Sequence, residues 1–157
     1  MLDLIHDIHP GVGLGELLLG TPADLVRAQL GEPPTVREKD HGDGINHRDW
    51  DYEWLSLSLS FSQDDDYRLG MITTSYEWAT LGETRIIGLT EAELCASDFD
   101  GLGPPRFDDD FEEFGKDYSW DALNLSCWLI DGIVDSVTIM PFYDESGDIP
   151  LWPNKFD

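Results

Sequence analysis

Two stretches of the chain alternate apolar and polar residues with a period of two. The apolar positions recur at every second residue in DYEWLSLSLSF and again in SWDALNLSCWLI. Successive side chains of a β-strand point to opposite faces, so this period predicts two antiparallel strands, each with one buried face. The residues predicted to face the core are Leu55, Leu57, Leu59 and Phe61 in the first stretch and Leu123, Leu125, Cys127 and Leu129 in the second.

Each alternating stretch is followed by turn residues and then by another apolar stretch. SQDDDYRLG precedes MITTSYEW, and Asp131 with Gly132 divides IDGIVDSVTIM. Asp-Gly is a strong hairpin signal, because the tight turn between two strands needs positive φ at both of its central residues. Each alternating strand is therefore predicted to begin a hairpin.

Ahead of each alternating strand lies a short amphipathic segment with helix-start signals. Thr21 is placed to cap a helix that has Pro22 at its first position and ends at Gly31. Thr90 and Glu93 have the spacing of a capping box, in which each side chain binds a backbone N–H that the helix start leaves unpaired. The sequence thus predicts two helices.

The chain can therefore be divided into two copies of one unit, in the order strand, helix, long loop, strand, hairpin and strand. The helix starts are offset by 69 residues and the alternating strands by 68. A three-stranded meander with one helix is too small to be stable alone, so the copies should share a sheet. The predicted fold is α+β: two tandem helix-plus-antiparallel-meander repeats, residues 1–80 and 81–157, forming one compact domain.

Large aromatic residues occupy the positions of this pattern that point away from the leucine-rich faces. Such side chains are either covered by a second layer or form a rigid anchor surface for a partner. The second interpretation makes them candidate partner-binding residues. They are Trp50, Tyr52, Trp54, Trp120 and Trp128.

The charge of the chain restricts its partners. There are 33 acidic and 9 basic residues, giving a net charge of −24. Such a surface repels nucleic acid and anionic membranes and attracts basic proteins at long range, so neither nucleic acid nor membrane is expected as a partner. The acidic run in the second long loop adds Asp108, Asp109, Asp110 and Glu112 to the candidate partner-binding residues.

Signals for nucleotide binding and catalysis are weak. In GVGLGELLLG, Glu16 departs from the dinucleotide-binding spacing, and the lysine that a P-loop requires is missing. No serine lies in a nucleophile elbow, and in so acidic a chain paired carboxylates arise by chance. The sequence therefore predicts structural glycines, no catalytic residues and no cofactor.

Histidines are the other candidate chemistry. His6 and His9 would have zinc-ligand spacing in a helix, but Pro10 disfavours a helix there. His41 and His47 lie in a polar loop with several carboxylates, which suggests the alternative of a small metal-dependent hydrolase. Their spacing matches no regular ligand pattern, so no metal site is predicted.

The segment SDFDGLGPP raises the possibility of calcium. Asp98, Asp100 and Gly101 resemble the start of a calcium-binding loop, but the third ligand before the glycine is missing. A solvated acidic loop is the preferred interpretation, and loose calcium binding stays open.

The start of the chain, MLDLIHDIHP, has no signal-peptide pattern, and no apolar run approaches the ~20 residues that span a bilayer. These features predict a cytoplasmic protein. In that reducing compartment Cys95 and Cys127 are expected to be buried thiols and not a disulfide.

The layout also resembles a known architecture. GVGLGELLLGTPADLVRAQLGEPP, followed by alternating strands and a degenerate second copy, is similar to the tandem repeat of beta-lactamase inhibitor protein and of similarly built bacterial immunity proteins. The likeness covers most of the chain and implies a non-enzymatic protein that binds another protein on an open sheet face. The missing signal peptide and structural disulfides favour a cytoplasmic immunity protein over an inhibitor of beta-lactamase.

The function implied by this resemblance is inhibition of a cognate bacterial toxin by steric and electrostatic occlusion of its active site. Acidic side chains would take the place of an anionic substrate, which makes a nuclease or another nucleotide-acting enzyme with a basic active site the expected target. Two alternatives stay open: the metal-dependent hydrolase, and an acidic nucleic-acid mimic that regulates a basic protein.

Overall fold

The structure, a computed structural model, describes residues 6–40, 42, 44–99 and 101–153. Of these residues 47% lie in strands and 17% in helices. The fold is therefore mostly β, and the predicted α+β class of helix-plus-meander repeats is wrong. The α-helices of the described part are α1 (Ala23–Leu30) and α2 (Glu91–Cys95).

The described residues form fifteen strands in three sheets. In chain order they are β1 (Asp7–His9), β2 (Gly13–Leu14), β3 (Leu17–Leu18), β4 (Thr35–Asp40), β5 (Asn46–Tyr52), β6 (Leu57–Ser62), β7 (Arg68–Thr74), β8 (Thr80–Leu81), β9 (Thr84–Arg85), β10 (Arg106–Asp110), β11 (Lys116–Trp120), β12 (Leu125–Ile130), β13 (Ile133–Ile139), β14 (Phe142–Tyr143) and β15 (Pro150–Leu151).

The largest sheet has eight antiparallel strands in the order β10-β11-β12-β13-β7-β6-β5-β4. Two four-stranded meanders, β4 to β7 and β10 to β13, meet where Thr138 pairs with Thr73. The hairpin predicted at Asp131 and Gly132 is confirmed, since both residues have positive φ and join β12 to β13. The division of the chain at residue 80 stays a prediction.

The edge strands explain part of the error in fold class. β4 and β10 lie at opposite edges of the large sheet, where the sequence predicted long loops. All five residues of β10 are exposed, and so are five of the six in β4. A strand exposed on both faces needs no apolar alternation, so the pattern that identified the central strands is absent here.

The glycine-rich segment of residues 7–18 forms most of a smaller sheet. β1, β2 and β3 form its antiparallel part, and β1 also pairs with β8 in parallel. Gly11 and Gly15 have φ of 73° and 58°, which a residue with a side chain rarely adopts. These glycines have the structural role that the sequence predicted.

The core lies on one face of the large sheet. Leu59, Ile72 and Val137 are at most 1% exposed and belong to one cluster with Val26 of α1 and Leu94 of α2. Leu123 is only partly buried, but the other inward positions predicted from alternation are confirmed as buried: Leu55, Leu57, Leu59, Phe61, Leu125, Cys127 and Leu129.

The two helix starts differ. Thr90 and Glu93 form the predicted capping box, with both reciprocal hydrogen bonds present. Thr21 does not cap α1, because its hydroxyl donates to the Leu18 carbonyl at 2.7 Å and the helix begins after Pro22. The predicted end of α1 at Gly31 is confirmed, with φ of 91°.

Candidate partner-binding surface

The second face of the large sheet is only partly buried and is lined by small polar side chains. Strand register places one such side chain on each strand from β11 to β4, and the hydroxyls of Thr73 and Thr138 lie 3.0 Å apart at the centre. We call this surface the open face. The row consists of Ser119, Ser126, Thr138, Thr73, Ser58, Asp51 and Thr35.

A shallow concavity of about 430 Å³ lies on the open face near the line where the two meanders meet. Its carboxylate lining is held in place on the β5 side. Asp51 accepts hydrogen bonds from Arg37 at 3.0 Å and from Ser58 at 2.8 Å, and Glu53 accepts one from Thr35 at 3.0 Å. Small hydroxyl side chains form most of the remaining lining: Ser56, Ser58, Thr73, Ser75 and Ser136. A partner can therefore approach the sheet backbone closely there.

Three of the predicted anchor aromatics do not face outward. Trp50, Tyr52 and Trp120 are 1%, 0% and 4% exposed and belong to the core. The reason is a 3-10 turn at the end of β5 and another at the end of β11. The left-handed residues Ser56 and Asn124 end these turns, so the inward parity changes before β6 and β12 begin.

Contacts inside the protein account for these buried aromatics. Trp50 packs against Phe61 with ring centroids 4.5 Å apart, and the Tyr52 hydroxyl donates to the Gly31 carbonyl at 2.8 Å. Trp120 meets Phe99 edge-on at 5.4 Å. Their assignment as partner-binding residues is corrected to a structural role.

The other two predicted aromatics are accessible. Trp54 lies in the turn between β5 and β6 and is 58% exposed. Trp128 is partly exposed on the open face, where its ring centroid lies 5.4 Å from that of Phe111. A Cβ built on Gly115, where φ is 140°, would lie 2.8 Å from the Trp128 ring, so the ring occupies the space beside that glycine.

The predicted acidic residues lie at one edge of the sheet. Asp108, Asp109 and Asp110 belong to β10 and not to a loop, and Glu112 follows in the turn that leads to β11; all four are exposed. We call residues 106–115 the acidic edge.

Three phenylalanines interleave with these carboxylates. Phe107, Phe111 and Phe114 are 49%, 46% and 70% exposed. They are not among the residues predicted from the sequence, although RFDDDFEEF mixes phenylalanine with the predicted acidic residues. Large exposed aromatics are typical of protein interfaces, so they strengthen the candidate surface.

The acidic edge has a net negative charge even when its one basic residue, Arg106, is included. The Arg106 guanidinium donates to Asp121 and to Asp108, each at 3.0 Å. Partial burial raises the pKa of Asp117 on β11, and the nearby Asp108 and Asp109 raise it further, while Arg106 opposes them. Carboxylates so close together favour the approach of a cation.

Lys116 does not neutralise the carboxylates of the acidic edge on the open face. It points to the core side of β11, where its ammonium lies 3.2 Å from the Glu91 carboxylate of α2. Tyr118 also donates to Glu91, and these hydrogen bonds from Tyr118 and Lys116 lower the pKa of Glu91. The three groups join α2 to the sheet.

The opposite edge is different in charge. On β4, Arg37 pairs with Asp51 at 3.0 Å and Glu38 pairs with Arg48 of β5 at 2.9 Å. Charges of both signs therefore alternate along this edge, which is a common way to discourage association of edge strands. Of the two edges of the large sheet, the β10 edge is therefore the more acidic.

The candidate metal ligands are only partly described. His6 Nδ1 lies 3.0 Å from Asp7, and His47 lies in β5. His41 and Asp100 lie outside the described residues. Within the described ranges, no group of three or more His, Cys, Asp or Glu side chains is arranged to hold a metal ion.

The structure also bears on the predictions about the two cysteines and about membrane-spanning segments. Cys127 is a buried free thiol, as predicted, and burial raises its pKa to about 12. Cys95 is also free but is exposed, contrary to the prediction. No helix in the described part of the chain is long and apolar enough to cross a membrane.

Comparisons with known proteins do not assign a family. Searches against protein-family models, curated proteins and solved structures found no match to this chain.

Proposed function

We propose that this protein is an immunity protein, which binds a basic bacterial toxin in the cytoplasm and blocks its active site. The observation that carries the proposal is the acidic edge, where three exposed phenylalanines alternate with carboxylates on one strand and its following turn. Exposed aromatics supply binding energy and carboxylates supply charge complementarity, so together they suit a basic protein surface.

The mechanism is occlusion. Carboxylates of Asp108, Asp109 and Asp110 take the positions that substrate phosphates would occupy in the toxin, and Phe111 and Phe114 pack around the rim of its active site. A nuclease or another nucleotide-acting enzyme is the favoured target, because its active site is basic. The net charge of −24 accelerates encounter with such a surface.

The open face is the second contact in this proposal. Its small hydroxyl side chains leave room for a partner above the sheet, and Trp128 lies at the side nearest the acidic edge. Trp54 is the exposed residue directly after Glu53, which lines the concavity. A toxin seated on both surfaces would bury these two tryptophans.

An inhibition titration tests the proposal. The purified chain is added to a purified candidate toxin, the product of the gene immediately upstream being the first to be tested, and residual toxin activity is measured. We expect complete inhibition near equal molar amounts. Phe114→Ser should weaken inhibition by about tenfold or more, whereas the control Ile149→Ser, at an apolar residue 59% exposed elsewhere, should not. Full toxin activity with excess wild-type chain contradicts the proposal.

A further inference from the structure

β10 offers a backbone edge as well as side chains. In the eight-stranded sheet it pairs with β11 on one side, and no strand of the described chain pairs with its other side. Such an edge presents backbone N–H and C=O groups that an extended segment of another protein can bind as an additional strand.

Phenylalanines lie on both faces of this edge. Phe107 pairs in register with the buried Tyr118 and meets its ring edge-on at 5.4 Å, which places it on the core side. Phe111 contacts Trp128 and so lies on the side of the open face. A strand added beside β10 would therefore have Phe107 as an exposed neighbour on its core side and would meet Phe111 of the following turn at its end on the open-face side; aromatic cross-strand pairs stabilise sheets.

The negative charge of the β10 edge favours a basic segment as the added strand. Asp108, Asp109 and Asp110 lie between the two phenylalanines, and Arg106 is already paired with Asp121 and Asp108. An incoming strand with lysine or arginine at alternate positions would place cations opposite these carboxylates. An acidic strand would be repelled.

The turn after β10 is held in position. Gly115 ends this turn next to the Trp128 ring, and the Phe111 N–H donates to the Gly115 carbonyl at 2.8 Å. The Asp110 N–H donates to Asp109 and the Glu112 N–H to Asp110, each at 2.8 Å. The edge is thus fixed at its turn end before any partner binds.

We propose that the free edge of β10 binds an extended basic segment of the partner by strand addition. This inference rests on the proposed function, because the segment is the part of the toxin that reaches the acidic edge. The irregular register between Phe107 and Asp109 limits the added strand to a short length, since a bulge interrupts regular pairing.

A peptide experiment separates strand addition from side-chain docking. The probe is a synthetic peptide of alternating lysine and valine, and its matched control carries N-methyl groups on alternate backbone nitrogens. The two peptides have the same charge and side chains, but the control cannot donate the strand hydrogen bonds. We expect the control to bind about tenfold more weakly, because two or three backbone hydrogen bonds are lost. Equal binding of both peptides, or binding of neither, overturns the inference.

The location is tested by hydrogen exchange and by paired variants. Amides within Arg106–Asp109 should exchange more slowly with the probe bound, while those of β4 should not change. Phe107→Ser should weaken peptide binding several-fold, and Val36→Ser, a similarly exposed apolar residue on β4, should leave it unchanged. Protection of β4 instead would overturn the assignment to β10. The peptide experiment and the toxin titration are independent. If the peptide does not bind as expected but the chain still inhibits the toxin, strand addition is rejected and the proposed immunity function is not.

Discussion

The ring of Trp128 occupies the space beside Gly115, where a side chain at residue 115 would stand. A Cβ on Gly115 would lie 2.8 Å from this ring and 2.3 Å from the Leu129 carbonyl oxygen, and the glycine has φ of 140°. This contact fixes the turn between β10 and β11, and with it the position of the acidic edge.

Replacing this glycine should therefore destabilise the protein beyond the usual effect of positive φ. Gly132 has φ of 76° with nothing within 4 Å of its Cβ position, so Gly132→Ala should cost about 1 to 2 kcal/mol through conformation alone. Gly115→Ala adds steric overlap and should cost about 1 to 3 kcal/mol more. Denaturant unfolding of both variants measures the difference, and equal losses would mean that the Trp128 ring and the Leu129 carbonyl both move aside without cost.

The burial of the tryptophans predicts a large contrast in stability. Trp120 is 4% exposed within the core, and Trp54 is 58% exposed in a turn. Trp120→Ala should lower the free energy of unfolding by about 3 to 5 kcal/mol, and Trp54→Ala should change it by about 0.5 kcal/mol or less. The same unfolding measurement decides this; a large loss at Trp54 would contradict its assignment to the accessible surface.

Asp117 should make stability depend on pH in a defined direction. Burial, followed by Asp108 and Asp109, raises its pKa above the ordinary value of 3.8. The fold therefore favours the protonated form, and the ionised carboxylate destabilises the protein at neutral pH. This destabilisation disappears as pH falls through the raised pKa and below 3.8.

The variant Asp117→Asn should accordingly be more stable than the wild type at pH 7, and the two should converge below about pH 3. Asp135→Asn, at an exposed carboxylate on β13, controls for the loss of one negative charge. Unfolding curves across this pH range measure the effect. A wild type more stable than Asp117→Asn at neutral pH would show that the carboxylate has a stabilising partner.

The signals that predicted structure correctly are local. The alternation of Leu57 to Phe61 and of Leu125 to Leu129 identifies strands with one buried face, and that burial is observed. The Asp131–Gly132 hairpin and the Thr90 capping box depend on residues adjacent or three apart in sequence. Each of these features can be predicted without knowledge of the rest of the fold.

The features that were missed depend on the tertiary arrangement. β4 and β10 are strands because a neighbouring strand pairs with them, and their own sequences carry no apolar period. Trp50 and Trp120 were assigned to the wrong face because one left-handed residue, Ser56 or Asn124, changes the parity between consecutive strands. Ser56 and Asn124 lie 68 residues apart, which is the offset between the two alternating strands. This offset indicates that the change of inward face occurs at the same place in both meanders.

The most direct test of the acidic edge as the toxin-binding surface is the association rate with the toxin at several salt concentrations. Asp108, Asp109 and Asp110 are changed together to Asn, which keeps an oxygen for the local hydrogen bonds. Asp64, Asp65 and Asp66, in the turn before β7, are changed to Asn as a control with the same loss of charge.

If the acidic edge steers the toxin, the first triple variant should associate about tenfold more slowly at low salt and show a flatter salt dependence, because exposed charges act over a Debye length of roughly 8 Å at physiological salt. Dissociation should become faster, because these carboxylates contact the basic active site of the toxin, and the control triple should retain most of the wild-type association and dissociation rates. Equal slowing of both triples, or no slowing of the first, would contradict the assignment of toxin binding to the acidic edge.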